Sequence, residues 1–181
     1  MKLMIASDIH GDESSCLLMK QAFEKEGADT LLILGDLLYH GPRNPLPDTY
    51  APKNVIDILA SMKEKIICVR GNCDSEVDQM VLPFPILQDS AYLFIDGVSL
   101  YATHGHHASP DALPPLPSGS VFLSGHTHVP MSEMKENGIL CLNPGSGSLP
   151  KGGYPKSYMI FENKAFTVKS FDGETVLHTE I

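Results

Sequence analysis

Short apolar runs that stop at polar tips organise this chain. Residues 2–6 and 30–34 are almost continuously apolar, the pattern of strands buried on both faces. Between them, over residues 13–26, Cys16, Leu17, Leu18, Met19, Ala22 and Phe23 recur at helical spacing. Asp12 or Ser14 is available to cap the start, and Gly27 supplies the stop. Strand, helix and strand in this order read as a βαβ crossover, and therefore as a parallel pair. Residues 36–52 contain Pro42, Pro45, Pro47 and Pro52 with Gly41, which predicts a long ordered loop. A short helix is expected over 55–62 and a third strand over 65–69.

The second half changes character. Residues 92–95 and 98–102 flank Asp96-Gly97, and residues 131–135 and 139–142 flank Asn137-Gly138, both patterns of hairpins. Residues 110–118 are proline-rich and read as a short helix or loop, and 121–123 as a strand. From 158 to 179 the chain alternates, with turns near Asn163 and Asp172-Gly173, as an antiparallel meander does. Helices in the first half and hairpins in the second favour an α/β fold of two packed mixed sheets flanked by helices over one doubly wound sheet.

Composition narrows this picture. A chain of 181 residues supports one domain over residues 1–181. No stretch has the length of apolar sequence that a membrane span needs, and the N-terminus lacks the pattern of a signal peptide, so a cytoplasmic location is expected. Cys16, Cys68, Cys73 and Cys141 form no CxxC pair and suggest core thiols rather than a zinc knuckle or a disulfide framework. A net charge of −9 argues against extended nucleic-acid binding, although bound divalent cations would offset carboxylates locally and draw an anionic substrate to one site.

The chemistry sits at the strand ends. Each of several apolar runs is followed by a small residue and a side chain that metals accept: Asp8 and His10, Asp36, Asn72, His104, and His126 with His128. In open α/β sheets the loops after the strands converge on a crevice where ligands bind. An ionised Asp36 beside a buried strand is costly unless something positive meets it. His10, His40, His104, His106 and His126 each adjoin a glycine, which frees the backbone to aim an imidazole. Taken one at a time, Asp8 reads as a helix cap, Asp36 and Asn72 as turn formers and His104 as a satisfied histidine. Their repetition as ligand, spacer, ligand in Asp8-Ile9-His10 and His126-Thr127-His128 is not required by turn chemistry. Asp, Asn and His donors suit Mn, Fe, Ni or Zn.

These motifs, in this order, resemble those of the calcineurin-like metallophosphoesterase superfamily: Asp8-Ile9-His10, Gly35-Asp36, Gly71-Asn72, His104 and Gly125-His126-Thr127-His128. The stretches 35–44, 70–78 and 143–146 are similar, more narrowly, to the small bacterial YfcE-type phosphodiesterases. The resemblance implies a four-layer αββα sandwich and two divalent metal ions per chain, manganese being the first expectation. One ion would be held by Asp8, His10, Asp36 and His128, and the other by Asp36, Asn72, His104 and His126, with Asp36 shared. It further implies a metal-dependent phosphodiesterase, with Asp36, Asn72 and His104 as catalytic residues. A hydroxide shared by ions about 3.5 to 4 Å apart would attack phosphorus in line with the leaving group.

Two positions depart from that pattern. Cys73 stands where many members have a histidine, and Tyr39 where many have an aspartate. A neutral thiol is a poor proton donor to an alkoxide, so activated or diester substrates are expected over alkyl monoesters. His40, Arg43, Cys73, His106 and His107 are candidates for the outer shell or for substrate contact. His107 and His178 read as surface histidines sooner than functional ones, and Cys73 as a space-filler at the edge of the site sooner than a nucleophile. Loops 37–52 and 105–118 are expected to wall the pocket. Two other functions stay open, a phosphomonoesterase of the same superfamily and a non-catalytic protein-binding scaffold on this fold. The expected partner is a small phosphodiester and no membrane, and an edge strand of the C-terminal meander is free to pair with a second copy in a homo-oligomer.

Overall fold

The computed structural model describes residues 1–181. Its eleven strands form two sheets. The first contains β1 (Leu3–Ala6), β2 (Thr30–Ile33) and β3 (Ile66–Cys68), followed at the other end of the chain by β9 (Ser157–Glu162), β10 (Ala165–Ser170) and β11 (Thr175–Glu180). Its order is β11-β10-β9-β1-β2-β3. The second sheet contains β4 (Ser90–Ile95), β5 (Val98–Thr103), β6 (Val121–Leu123), β7 (Met131–Met134) and β8 (Leu140–Asn143), in the order β4-β5-β6-β8-β7. Both sheets are mixed. β1, β2 and β3 run parallel, with Leu3 opposite Thr30, and β9 joins β1 antiparallel. β5, β6 and β8 run parallel between two antiparallel edge strands.

Period-two geometry explains why β1 reads as unbroken apolar sequence. Leu3 and Ile5 point between the sheets, where they meet Leu32, Leu34, Leu100, Val121, Leu123 and Leu142. Met4 and Ala6 point the other way, into the layer built with helices α1 (Glu13–Glu26) and α2 (Pro52–Ala60) through Cys16, Met19, Phe23, Val55 and Leu59. Leu32 and Leu3 are wholly removed from solvent, which stabilises the fold by roughly 2 kcal/mol for each such side chain. The result is the expected sandwich of two packed mixed sheets, with helices α1 and α2 on the outer face of the first and loop 105–118 in place of helices on the outer face of the second.

Details depart from the sequence reading for local reasons. α2 starts at Pro52 because proline is preorganised for the first helical turn. A further short helix, α3 (Glu76–Val81), follows the third strand and starts at a capping box between Ser75 and Asp78. Asp12 occupies the N-cap position of α1, yet its carboxylate caps no backbone N–H. It accepts instead from Ser14, Ser15, Thr49 and the Lys156 ammonium, the last at 3.0 Å. Residues 105–118 are loop without helix, and they do not wall the cavity over the strand ends. Ala108, Leu113 and Leu116 cover Phe122 and Cys141 on the outer face of the second sheet, because that apolar face has no helix over it. No helix is long and apolar enough to cross a membrane.

Candidate metal centre

The parallel strands deliver their C-terminal loops to one end of the sandwich, and the metal-type side chains meet there. Asp8, His10, Asp36, Asp74, His104 and His128 are all buried, His126 is half-buried and Asn72 is exposed at the edge. The backbone is unusual at these positions. The non-glycine residues with positive φ are Asp8, His10, Asp36, His126 and His128, plus Asp96, Asn163 and Lys164, the last three in or beside hairpin turns. Left-handed backbone at a residue with a Cβ costs about 1 kcal/mol or more, and such strain collects at functional sites.

Hydrogen bonds fix which ring nitrogens face inward. Nδ1–H of His10 donates to the Tyr39 carbonyl at 2.8 Å, that of His104 to Leu34 at 2.6 Å and that of His128 to Leu149 at 2.6 Å. Each Nε2 is thereby turned into the site, where it is an acceptor whenever the ring is neutral. Nε2 of His10 and of His128 are 3.3 Å apart, and Asp8 Oδ1 lies 3.5 and 3.2 Å from them. Asp8 Oδ2 is occupied by the Ser7 hydroxyl and the His126 N–H, whereas Oδ1 is buried with no hydrogen-bond partner. Across the site, His104 Nε2 is 3.4 Å from Asp36 Oδ2, 3.0 Å from Asn72 Oδ1 and 3.2 Å from His126 Nδ1. Asp36 Oδ2 is also 3.7 Å from His10 Nε2, so one oxygen stands between the two groups.

Lone pairs that converge on one point are what a cation satisfies, whether a proton or a metal ion, so the donor set fits divalent metal ions. Two overlapping clusters could hold them, Asp8 with His10 and His128, and Asp8 with Asp36 and His104. Cys73 Sγ also lies within reach of His10 and Asp36. Burial, with Asp36 beside it, pushes that thiol up to about 12, so it is neutral before any metal arrives. Burial lowers His126, helped by the neighbouring His104, and lowers His106 to about 4, keeping both rings neutral.

His104 behaves oppositely. Burial works against its charged form, but the bond to Asp36 and the charges of Asp8 and Asp36 outweigh burial and lift it from 6.5 to about 9. A pKa raised on folding gives stability that is complete below the unfolded value and is lost as pH rises through the folded one. The metal-free chain should therefore lose thermal stability between pH 6.5 and about 9. A metal ion competes with that proton for Nε2, so divalent-cation affinity should rise over the same window. Thermal unfolding with chelator and calorimetric metal titration across this range check both; a flat metal-free profile would count against the His104–Asp36 pair.

Several residues that hold the centre carry no metal-type motif. The Asp74 carboxylate accepts the backbone N–H groups of Asp36 at 2.9 Å, Leu37 at 2.9 Å and Gly71 at 2.8 Å, tying the loops after β2 and β3 together. Asn143 Nδ2 donates to the Gly125 carbonyl and the Thr127 hydroxyl, bracing the loop of His126 and His128. A loop follows β8 from residue 144. It turns its groups inward: the Ser146 and Ser148 hydroxyls both donate to the Asp8 carbonyl at 2.8 Å, and the Gly147 N–H to Ser7 at 2.9 Å. The only sequence signal for these roles is small and polar residues next to the motifs.

The weaker candidates separate. Arg43 and Cys73 line a cavity of about 470 Å³ over the centre, with Asp36, Asn72, His126 and His128. His106 packs edge-on to His104, ring centres 5.3 Å apart, beside and not in that lining. His40 packs edge-on between Tyr39 and Tyr50, with ring centres 4.8 and 5.3 Å away. His107 and His178 are exposed.

Comparison with known proteins agrees with the geometry. The family model described as the calcineurin-like phosphoesterase superfamily domain matches residues 1–165. The chain is 45% identical over 177 residues to phosphodiesterase YfcE of Escherichia coli K12, covering 98% of this chain and 96% of the relative. It is 27% identical over 153 residues to phosphodiesterase MJ0936 of Methanocaldococcus jannaschii, covering 80% and 83%. A solved structure of E. coli YfcE, described as a phosphoesterase, superposes with a TM-score of 0.97 at 45% identity over the whole of both chains. Vps29 of Entamoeba histolytica complexed with zinc, at 19% identity and a TM-score of 0.63 over 99% and 98%, shares the fold. The metal-ready clusters and the relatives together support a metal-dependent phosphoesterase, and the chain belongs to the calcineurin-like phosphoesterase superfamily.

Proposed function

We propose that the chain is a metal-dependent phosphodiesterase acting on small diesters. The observation that carries this reading is the single Asp36 oxygen standing between two groups of inward-facing acceptors. In this reading Asp8, His10, Asp36 and His128 hold one divalent ion, and Asp36, Asn72, His104 and His126 the other. Such ions, when bound, neutralise charge on the phosphoryl oxygens and make water acidic enough to attack phosphorus at neutral pH. Mn, Fe, Ni and Zn all suit the donor set, and manganese is where reconstitution begins.

The chain's own residues do the rest. Backbone carbonyls of Tyr39, Leu34 and Leu149 fix the imidazole tautomers, so no ring must reorient when substrate arrives. Asn72 Nδ2 donates to Cys73 Sγ at 3.2 Å, which leaves Oδ1 turned inward beside His104. The cavity is large enough for both arms of a small diester. Cys73 stands beside the centre as a thiol, a poor proton donor to a departing alkoxide, which supports esters whose alcohols leave unaided.

The test is a metal-reconstituted assay on aryl diesters and monoesters with matched leaving groups. Diesters should turn over faster, and the rate should fall steeply as leaving-group pKa rises. Faster monoester turnover would favour the monoesterase reading, a rate independent of leaving-group pKa would remove the argument from Cys73, and inactivity with every metal would favour a scaffold.

A further inference from the structure

The chain holds 13 Lys and Arg against 22 Asp and Glu, so an unpaired cation has many acids to choose from. Lys2, Lys135, Lys156 and Lys169 each stand within 4.0 Å of a carboxylate. Arg43 and Lys151 are among the cations with no such partner, and what sets them apart is that both line the cavity over the metal centre. They come from separate loops. Arg43 lies within the turn closed by the Asn44 amide, which donates to the His40 carbonyl at 2.9 Å. Lys151 is held by its N–H, which donates to the His128 carbonyl at 3.0 Å, while His128 Nδ1 donates back to Leu149. The two cations are thus carried on backbone tied to the centre, with their charged ends uncommitted.

Beyond Cys73 and the centre's own side chains, the rest of the lining is polar or proline and glycine: Asn44 and Thr127 with Gly41, Pro42 and Pro45. Cys73 is its one hydrophobic residue, and the apolar surface of Leu38, Tyr39, Ile56 and Val81 lies on the far side of Cys73. A phosphodiester carries one negative charge, on the group that the metal centre takes in the reading above. Two further cations at the cavity match a second anionic group better than the phosphoryl group itself.

Resting on the phosphodiesterase reading, we infer that Arg43 and Lys151 form a second anion subsite, and that the preferred substrate is a phosphodiester with an additional carboxylate or phosphate on one arm. Both side chains are exposed, so each ion pair is worth little alone and is screened by salt. Together they should favour an anionic arm over a neutral one by roughly three- to tenfold in kcat/KM at low ionic strength.

The experiment uses aryl phosphodiesters with one leaving group and a second arm that is neutral or ends in carboxylate or phosphate, assayed on the metal-loaded full chain. In parallel, calorimetry measures binding of non-hydrolysable dialkyl phosphinates with and without a terminal carboxylate. The anionic arm should be preferred in both, the preference should fall with salt, and Lys151→Ala and Arg43→Ala should bring the anionic-to-neutral ratio toward one. Lys151→Arg should restore it and Lys151→Glu should invert it. The relative size of the carboxylate and phosphate effects identifies which anion the subsite prefers. Diester turnover with no charge preference would overturn the subsite and leave the phosphodiesterase reading standing. Equal losses on neutral and anionic substrates would also overturn it, by assigning the cations to the phosphoryl group. If no diester turns over, the phosphodiesterase reading fails, and tighter binding of the carboxylate phosphinate still decides the subsite.

Discussion

Asp36→Asn is expected to reduce kcat/KM at least about a thousandfold, several kcal/mol of transition-state stabilisation, while leaving the metal-free fold intact. The amide has the same shape. Its oxygen can still accept the Cys73 N–H, which reaches Asp36 Oδ1 at 2.8 Å. Its Nδ2 would replace the oxygen that stands 3.4 Å from His104 Nε2 and 3.7 Å from His10 Nε2, and would turn donors toward those lone pairs. The site would then satisfy itself and repel a cation. Because Asp36 is the leading reason that His104 holds its proton, the substitution should also flatten the loss of metal-free stability between pH 6.5 and about 9. Metal content after dialysis, kcat/KM on an aryl diester and thermal unfolding with chelator read the three effects separately. Parent-like activity would overturn the shared-carboxylate mechanism.

Much of this centre was legible because strand ends are easy to read and metal chemistry restricts residue types. Asp8, His10, Asp36, Asn72, His104, His126 and His128 are separated by as many as 120 positions in sequence, yet each follows an apolar run, and the parallel strands carry all of them to one end. The crossover of β1, α1 and β2 was legible for the same reason, since burial on both faces of a strand leaves an unbroken apolar run. What escaped depends on partners distant in sequence that have no periodicity. Asp74 looks like an ordinary turn acid until three backbone N–H groups from two loops are seen to meet it. Asp12 reads as a cap, and its competing partner, Lys156, is 144 residues away. The antiparallel docking of β9 on β1 is likewise invisible locally, because an apolar strand buried on both faces suits the interior of either sheet. Helix α3 was missed for a simpler reason: it is one and a half turns long and buries no residue, so its capping box was its sole signal.

Gly71→Ala should be the most damaging change that replaces no proposed metal ligand. A Cβ there would overlap the backbone nitrogen and Oδ1 of Asp36 and come within 2.8 Å of Asp36 Cγ. None of these atoms can swing aside: the nitrogen is bonded to Asp74 Oδ2 at 2.9 Å, and Oδ1 to the Cys73 N–H. The φ of Gly71 is not positive, so the penalty is steric and does not come from backbone preference. Overpacking of this kind costs roughly 1 to 3 kcal/mol and is relieved only if the loops after β2 and β3 move apart. That movement separates Asp36 from Asn72 and His104, so metal affinity and kcat/KM should fall by about a hundredfold or more for a displacement near 1 Å. Gly27→Ala is the matched control. Its Cβ would meet nothing within 4 Å, and its left-handed φ of 64° should cost about 1 to 2 kcal/mol of stability with kcat/KM unchanged. Parallel measurement of unfolding temperature, metal affinity and kcat/KM separates the two cases: both variants lose stability, and only the substitution beside Asp36 should lose the metal. If Gly71→Ala keeps parent-like metal affinity, the tight approach of these two loops does not govern the centre.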